Sequence, residues 1–176
     1  MHYSNKTFFL FSCAFLLISN GCKKSEPQKQ TTEISQEITV ITASDIEALE
    51  YTEYVLSDLS KEAIRDWMKF QDLQVQINQL KSGNITFFEN DKDILKELLN
   101  ELKTSLPEQL NDPSIFSRIV ALETSAYKLH DEAVFNKNDK TSLLNSLKEV
   151  LKAYSSLIFQ LNKKFEKQIH NIQKPS

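Results

Sequence analysis

The side chains that could carry chemistry are few, and their spacing rules out most of what they might do. Beyond the N-terminal segment the chain has two histidines, His130 and His170. A two-metal site in a helical protein needs Glu-x-x-His on two helices with further inward glutamates. Here Tyr127 stands three residues before His130 and Lys167 three before His170. His-Glu-x-x-His and Cys-x-x-Cys-His are both absent, which removes the usual zinc-protease and attached-haem patterns. Glu123, Asp131 and Glu132 accompany His130, but one imidazole without a second nitrogen ligand is a poor metal site, and a hydrogen-bonded or solvent-facing histidine is expected. The segments Asn90-Asp91-Lys92-Asp93 and Asn136-Lys137-Asn138-Asp139 lack the central glycine and closing glutamate of a calcium loop. Gly21 and Gly83 are the only glycines, so no glycine-rich phosphate loop exists. Ser57, Ser60, Ser125 and Ser155 stand in no nucleophile-elbow pattern, and carboxylate pairs such as Glu50 with Glu53 read as a solvated acidic face. The expectation is a non-enzyme with no cofactor and no metal.

The cysteines point elsewhere. Lys6 precedes an apolar run from Phe8 to Ile18, followed by Ser19-Asn20-Gly21-Cys22. This run of about eleven residues makes about half of a membrane-spanning helix, and a short basic start, a short apolar centre and small residues before a cut describe a secretory signal. Cysteine directly after Gly21 resembles the signal of bacterial lipoproteins. That resemblance covers residues 1–22 and implies acylation of the Cys22 thiol, cleavage before it, and attachment to a membrane through lipid. The stretch Leu10-Phe11-Ser12-Cys13 fits the local pattern too, but a cut there leaves only Phe8 to Phe11 as the apolar centre. Length decides for Cys22. Cys13 then leaves with the signal, and the mature chain keeps no free thiol.

Residues 1–21 are thus expected to be a signal peptide, and residues 22–43 a lipidated cysteine with a polar, flexible tether beginning Lys23-Lys24-Ser25-Glu26-Pro27. Charged residues after such a cysteine direct some lipoproteins to the cell surface. The expected location is the cell envelope, an outer membrane in the first place, with periplasmic and surface faces both open. Within the tether, Ile38-Thr39-Val40-Ile41 reads as an extended segment lying on the folded part.

Residues 44–176 should then be an all-α domain. Glycine scarcity disfavours the tight turns of sheets. Ser44-Asp45-Ile46-Glu47 matches a capping box, and Leu49, Leu56, Ala63, Phe70 and Ile77, with Leu59, Leu73 and Leu80, recur at the spacing of one helical face. This predicts one long first helix ending at Gly83. Thr86-Phe87-Phe88-Glu89 predicts a second start, with a stripe of Phe88, Leu95, Leu98, Leu99, Leu102 and Leu106. Asp112-Pro113 predicts a third, with Ile115, Ile119, Leu122, Ala126, Leu129 and Ala133 facing inward. The fourth carries Leu144, Leu147, Leu151, Tyr154, Ile158, Leu161, Phe165 and Ile172. Short links favour an antiparallel four-helix bundle. In that topology the acidic start of the first helix (Asp45, Glu47, Glu50, Glu53, Asp58) meets the basic end of the fourth (Lys163, Lys164, Lys167, Lys174).

One feature exceeds what a simple seam needs. Tyr51, Tyr54, Ile64, Met68 and Val75 fall away from the seam of the first helix, and Trp67 flanks it. A broad buried face is the first explanation of such residues, because globular helices commonly bury broad faces; a surface for a partner helix or a second copy is the other. Asp66 occupies a seam position and must find a cation or water. A net charge of −3 gives no pull on nucleic acid. The leading expectation is a non-enzymatic envelope lipoprotein that binds a protein or itself. The alternative is a small-molecule, haem or metal-binding bundle in the periplasm, with a cavity lined by aromatics such as Trp67, Phe70, Tyr127 and Phe159.

Overall fold

The computed structural model describes residues 40–172, with side chains to residue 166. The expected signal 1–21, Cys22, the tether to residue 39, and the side chains of Lys167, His170, Ile172 and Lys174 lie outside the described residues. Among the described residues the protein is all-helical: α1 Ala43–Glu47, α2 Asp58–Ala63, α3 Met68–Lys81, α4 Thr86–Glu89, α5 Lys92–Thr104, a 3₁₀ turn Glu108–Leu110, α6 Pro113–Phe135 and α7 Lys140–Ile172. None of the described helices is long and apolar enough to cross a membrane.

The later helices begin and end where their residues dictate. Asp112 caps α6 by accepting from the Ser114 amide at 2.9 Å, with Pro113 in the first turn. Asp91 caps α5, accepting from the Asp93 amide at 2.8 Å. The segment Thr86–Glu89 does form a short helix, but its cap residue is Ile85, which offers no side-chain bond, and it is Asn84 that accepts from the Thr86 amide at 3.0 Å. The inward stripe of α6 is buried along its length, as are Phe88, Leu95, Leu98, Leu99 and Leu102, and Leu147, Leu151, Ile158 and Leu161 of α7. Neighbours run in opposite directions. Trp67 at the start of α3 donates its indole N–H to the Ser105 hydroxyl just past the end of α5, at 3.1 Å, and Lys69 pairs with Glu101 at 2.8 Å. The start of α5 reaches the far part of α6 through Lys92 and Asp131 at 2.9 Å. Gln160 of α7 reaches Ser114 of α6, also at 2.9 Å.

The long first helix is where expectation and structure part. Residues 44–83 are three helices, not one, with a non-helical stretch between Ala48 and Ser57. The capping box also lies two residues earlier. Thr42 accepts from the Asp45 amide, and the Asp45 carboxylate accepts from the Thr42 amide at 2.8 Å. Ile41 before this cap and Ile46 after it are both buried, forming the apolar staple that Ala43 and Ala48 could not supply around Ser44.

What replaces the missing helix is a strap bound to α7. The Ser155 hydroxyl accepts from the Tyr54 amide at 2.9 Å and donates to the Thr52 carbonyl at 2.7 Å. Two helical turns further on, Asn162 accepts from the Ser57 amide and donates to the Val55 carbonyl, both at 2.9 Å. Seven helical residues rise about 10.5 Å, and three extended residues span about 10 Å, so the two clamps match an extended chain running parallel to α7. The chain turns back between Ala63 and Met68, where Asp66 is exposed to water. Consequently α1 lies at the start of α7, not at its end: Asp45 pairs with Lys140 at 2.9 Å. Lys164, expected to face that acidic segment, pairs instead with Asp112 at 3.2 Å, and Lys163 pairs with Glu166 four-fifths of a turn along its own helix at 2.6 Å.

Candidate functional site

The strap and α3 do not close on each other. Between them lies a groove of about 710 Å³, walled on one side by Glu53, Tyr54, Val55 and Leu56, and on the other by Gln71, Gln74, Val75, Asn78 and Lys81. Tyr154 and Ile158 of α7 make its floor, and Lys61, Ile64 and Arg65 its end around α2. Gln71, Gln74, Asn78 and Lys81 recur at the spacing that aligns residues on one helical face.

Polar groups around the groove are partly committed. Lys81 is paired with Glu53 across it, Lys61 with Asp58 at 2.8 Å and Arg65 with Glu62. Gln71 donates to the Arg65 carbonyl. Gln74 donates to the Tyr154 hydroxyl, which opposes burial, the main cause raising that phenol above its ordinary value. Tyr51 sits half-buried at the base of the strap, hydrogen-bonded to Glu53 at 3.3 Å. Burial first, and the Glu53 charge second, push its phenol up to about 12.

The five residues expected to form one outer face are distributed. Tyr54, Ile64 and Val75 do line the same groove. Ile64, however, is only 5% exposed; it belongs to the core because the chain turns after α2 and swings this side chain inward. Tyr51 packs partly against the core. Met68, 61% exposed, stands outside the groove at the first turn of α3. Trp67 is 1% exposed and stacks on Phe70 with ring centroids 5.0 Å apart. The strap clamps Ser155 and Asn162 escaped the sequence reading. A serine and an asparagine on the α7 face beside Ile158 were the signal, since polar side chains among core positions need partners.

Among the described residues, the aromatics expected to line one cavity, Trp67, Phe70, Tyr127 and Phe159, do not come together, although Phe159 borders a separate surface pocket with Tyr51 and Tyr54. His130 is buried and its Nδ1 lies 2.9 Å from the Phe88 carbonyl, so the imidazole donates there and ties α4 to α6. No group of three or more histidine, cysteine or carboxylate side chains able to hold a metal ion occurs among the described residues. Trp67 and Phe70 are sealed in the core, whereas Phe159 lies at the surface against Tyr54, centroids 4.8 Å apart.

Set against protein-family profiles, characterised proteins and solved structures, the chain matches none of them significantly.

Proposed function

We propose that the chain is a lipid-anchored protein of the cell envelope, held to a membrane through an acylated Cys22, and that it binds another protein without catalysing a reaction. Its scaffold is an antiparallel arrangement of α3, α5, α6 and α7, to which the strap is an addition. The anchor reading rests on the apolar run Phe8–Ile18 and the Gly21-Cys22 junction. The binding reading rests on one observation above others: two polar side chains of α7 hold the strap in an extended line and leave an open groove beside α3. A scaffold needing only stability would gain more from continuing the helix and covering the partly exposed Tyr154 beneath it.

The test is crosslinking in native membranes with the tagged full chain, alongside labelled palmitate. Incorporation of palmitate and membrane fractionation that Cys22→Ser abolishes support the anchor. A stoichiometric crosslinked partner lost on Tyr54→Asp or Val75→Asp supports the binding role. Soluble Cys22 protein without label overturns the first, and capture that ignores both groove substitutions overturns the second.

A further inference from the structure

The point where the chain enters decides which end of the bundle lies nearest an anchor. Val40 and Ile41 line one pocket with Gly83 after α3, Lys137 and Asn138 after α6, and Leu143 near the start of α7. Asp45 of α1 pairs there with Lys140 at 2.9 Å. One pole therefore gathers the entering chain, the end of α3, the end of α6 and the start of α7. The opposite pole holds the start of α6, where Ser114 meets Gln160 of α7, and Trp67, bonded to Ser105.

Helix α6 closes at the entry pole on Val134 and Phe135, 40% and 76% exposed. The Phe135 ring meets no other ring and no cation among the described residues. The turn that follows holds itself together without it. Glu132 accepts from the Asn136 side chain and from the Ser142 hydroxyl, both at 2.9 Å. The Asp139 amide donates to the Asn136 carbonyl at 2.8 Å, and the Asp139 carboxylate accepts from the Ser142 amide at 3.0 Å. A braced turn thus carries an aromatic ring into water, with Val40, 64% exposed, on the same pole. Lys137, in that turn, has no carboxylate partner among the described residues. Glu47, Glu89 and Asp139 stand at the same end, so no net positive field draws it to an anionic surface. What remains is apolar contact with a charged side chain able to reach past it, the pattern of residues seated at the headgroup boundary of a bilayer.

Seventeen residues, 23–39, separate Cys22 from Val40. A flexible chain of that length averages about 20–25 Å between its ends. Helix α7 alone rises about 50 Å from Lys140 to Ile172, so the entry pole meets lipid far more often than the opposite one. One phenylalanine and one valine are too little to bring a free protein to a bilayer. On a tether the contact is intramolecular, at an effective concentration of about millimolar, and weak apolar burial suffices.

We propose that the entry pole is a membrane-contact surface: Phe135 and Val134 enter the headgroup boundary of the bilayer that holds Cys22, and Lys137 reaches a lipid phosphate. This rests on the anchor reading and adds an orientation to it. The bundle stands on this pole, with Trp67 and the start of α6 farthest from lipid.

The probe is the full chain purified from bacterial membranes and reconstituted into phosphatidylcholine vesicles, with or without bromine on the acyl chains. Trp67 is the sole tryptophan and is 1% exposed at the far pole, so it supplies a constant background. Phe135→Trp should add emission that shifts to the blue in vesicles and is quenched by the brominated lipid. Phe116→Trp, at a position 44% exposed near the start of α6, should add emission that is neither shifted nor quenched. Raising the salt should change neither result. Equal quenching of the two overturns the orientation, and no quenching of Phe135→Trp overturns the contact with lipid. Quenching that salt abolishes overturns apolar insertion. A protein crosslinked from position 135 on native membranes, with no quenching in vesicles, would assign the pole to a protein partner and overturn the proposal. Flotation of the chain with the vesicles, lost on Cys22→Ser, reports the anchor separately. Vesicles that float without the chain remove the anchor reading and the orientation with it. A floating chain with both rings unquenched leaves the anchor standing and removes only the contact.

Discussion

Gly83 and Ile41 meet through main chain alone: a Cβ placed on Gly83 would stand 2.9 Å from the Ile41 carbonyl oxygen. Gly83 also has φ +91°, a conformation that side-chain-bearing residues avoid. Two demands therefore fall on one position, the cap ending α3 and the passage of the entering chain. Gly83→Ala should cost about 2 kcal/mol or more in denaturant unfolding, the left-handed penalty plus the displacement of residues 41–43. Asparagine normally eases a positive φ. Here it carries the same Cβ into the same oxygen, so Gly83→Asn should not rescue stability. Recovery to within about 0.5 kcal/mol would mean the close approach is unimportant.

The strap depends on Ser155, 3% exposed, whose hydroxyl serves both the Tyr54 amide and the Thr52 carbonyl. Ser155→Ala leaves two main-chain groups without partners at a cost of about 1–3 kcal/mol. The loss should be local before it is global. Amide exchange of Tyr54 and Ser57 should accelerate, while the amides of α6, buried along Ile115 to Ala133, keep their protection. Uniform acceleration through the protein would contradict a strap that opens by itself.

Two carboxylates set an acid limit. The hydrogen bond from Lys140, then that from the Thr42 side chain, hold Asp45 down to about 2. The Ser114 hydroxyl and amide, then Lys164, do the same for Asp112, also to about 2. A lowered folded-state value means the folded form binds protons less readily than the unfolded chain. Stability from these groups is therefore present above the ordinary value of 3.8 and is lost as pH falls toward 2. Asp112→Asn keeps a cap residue and Asp45→Asn keeps a polar side chain. The double variant should be less stable at neutral pH and should lose less between pH 4 and pH 2. Parallel urea midpoints over that window would count against both shifts.

How much of this was legible follows from where each signal comes from. The Asp112-Pro113 start, the Gly83 stop and the buried stripes of α5, α6 and α7 are local or periodic features, and all could be read from the chain. The break between α1 and α3 could not. Leu49 and Leu56 pack against the core from the strap and from its junction with α2, so the apolar pattern continues across a segment that is not helical. The groups that win against the helix are Ser155 and Asn162, some hundred residues away, and no local propensity announces them. Asp66 was a sign on the segment itself, a charge on the seam that the structure resolves by turning the chain there. The groove follows from that turn, which is why three of the five outer-face residues meet in it while Tyr51 and Met68 do not.

The difference between Ile64 and Val75 tests that arrangement directly, because both border the groove and nothing in their spacing separates them. Ile64 is 5% exposed and Val75 is 54% exposed. An aspartate at Ile64 would place an unpaired charge beneath α2, costing roughly 3–5 kcal/mol. The same substitution at Val75 meets water and should stay within about 0.5 kcal/mol of the unmodified chain. If one continuous helix spanned residues 44–83 in solution, the two positions, eleven residues apart on the same side of the seam, would respond alike. Unequal losses of this size, read in matched urea titrations, fit a chain that turns after α2. Equal ones would restore the single helix and erase the groove with it.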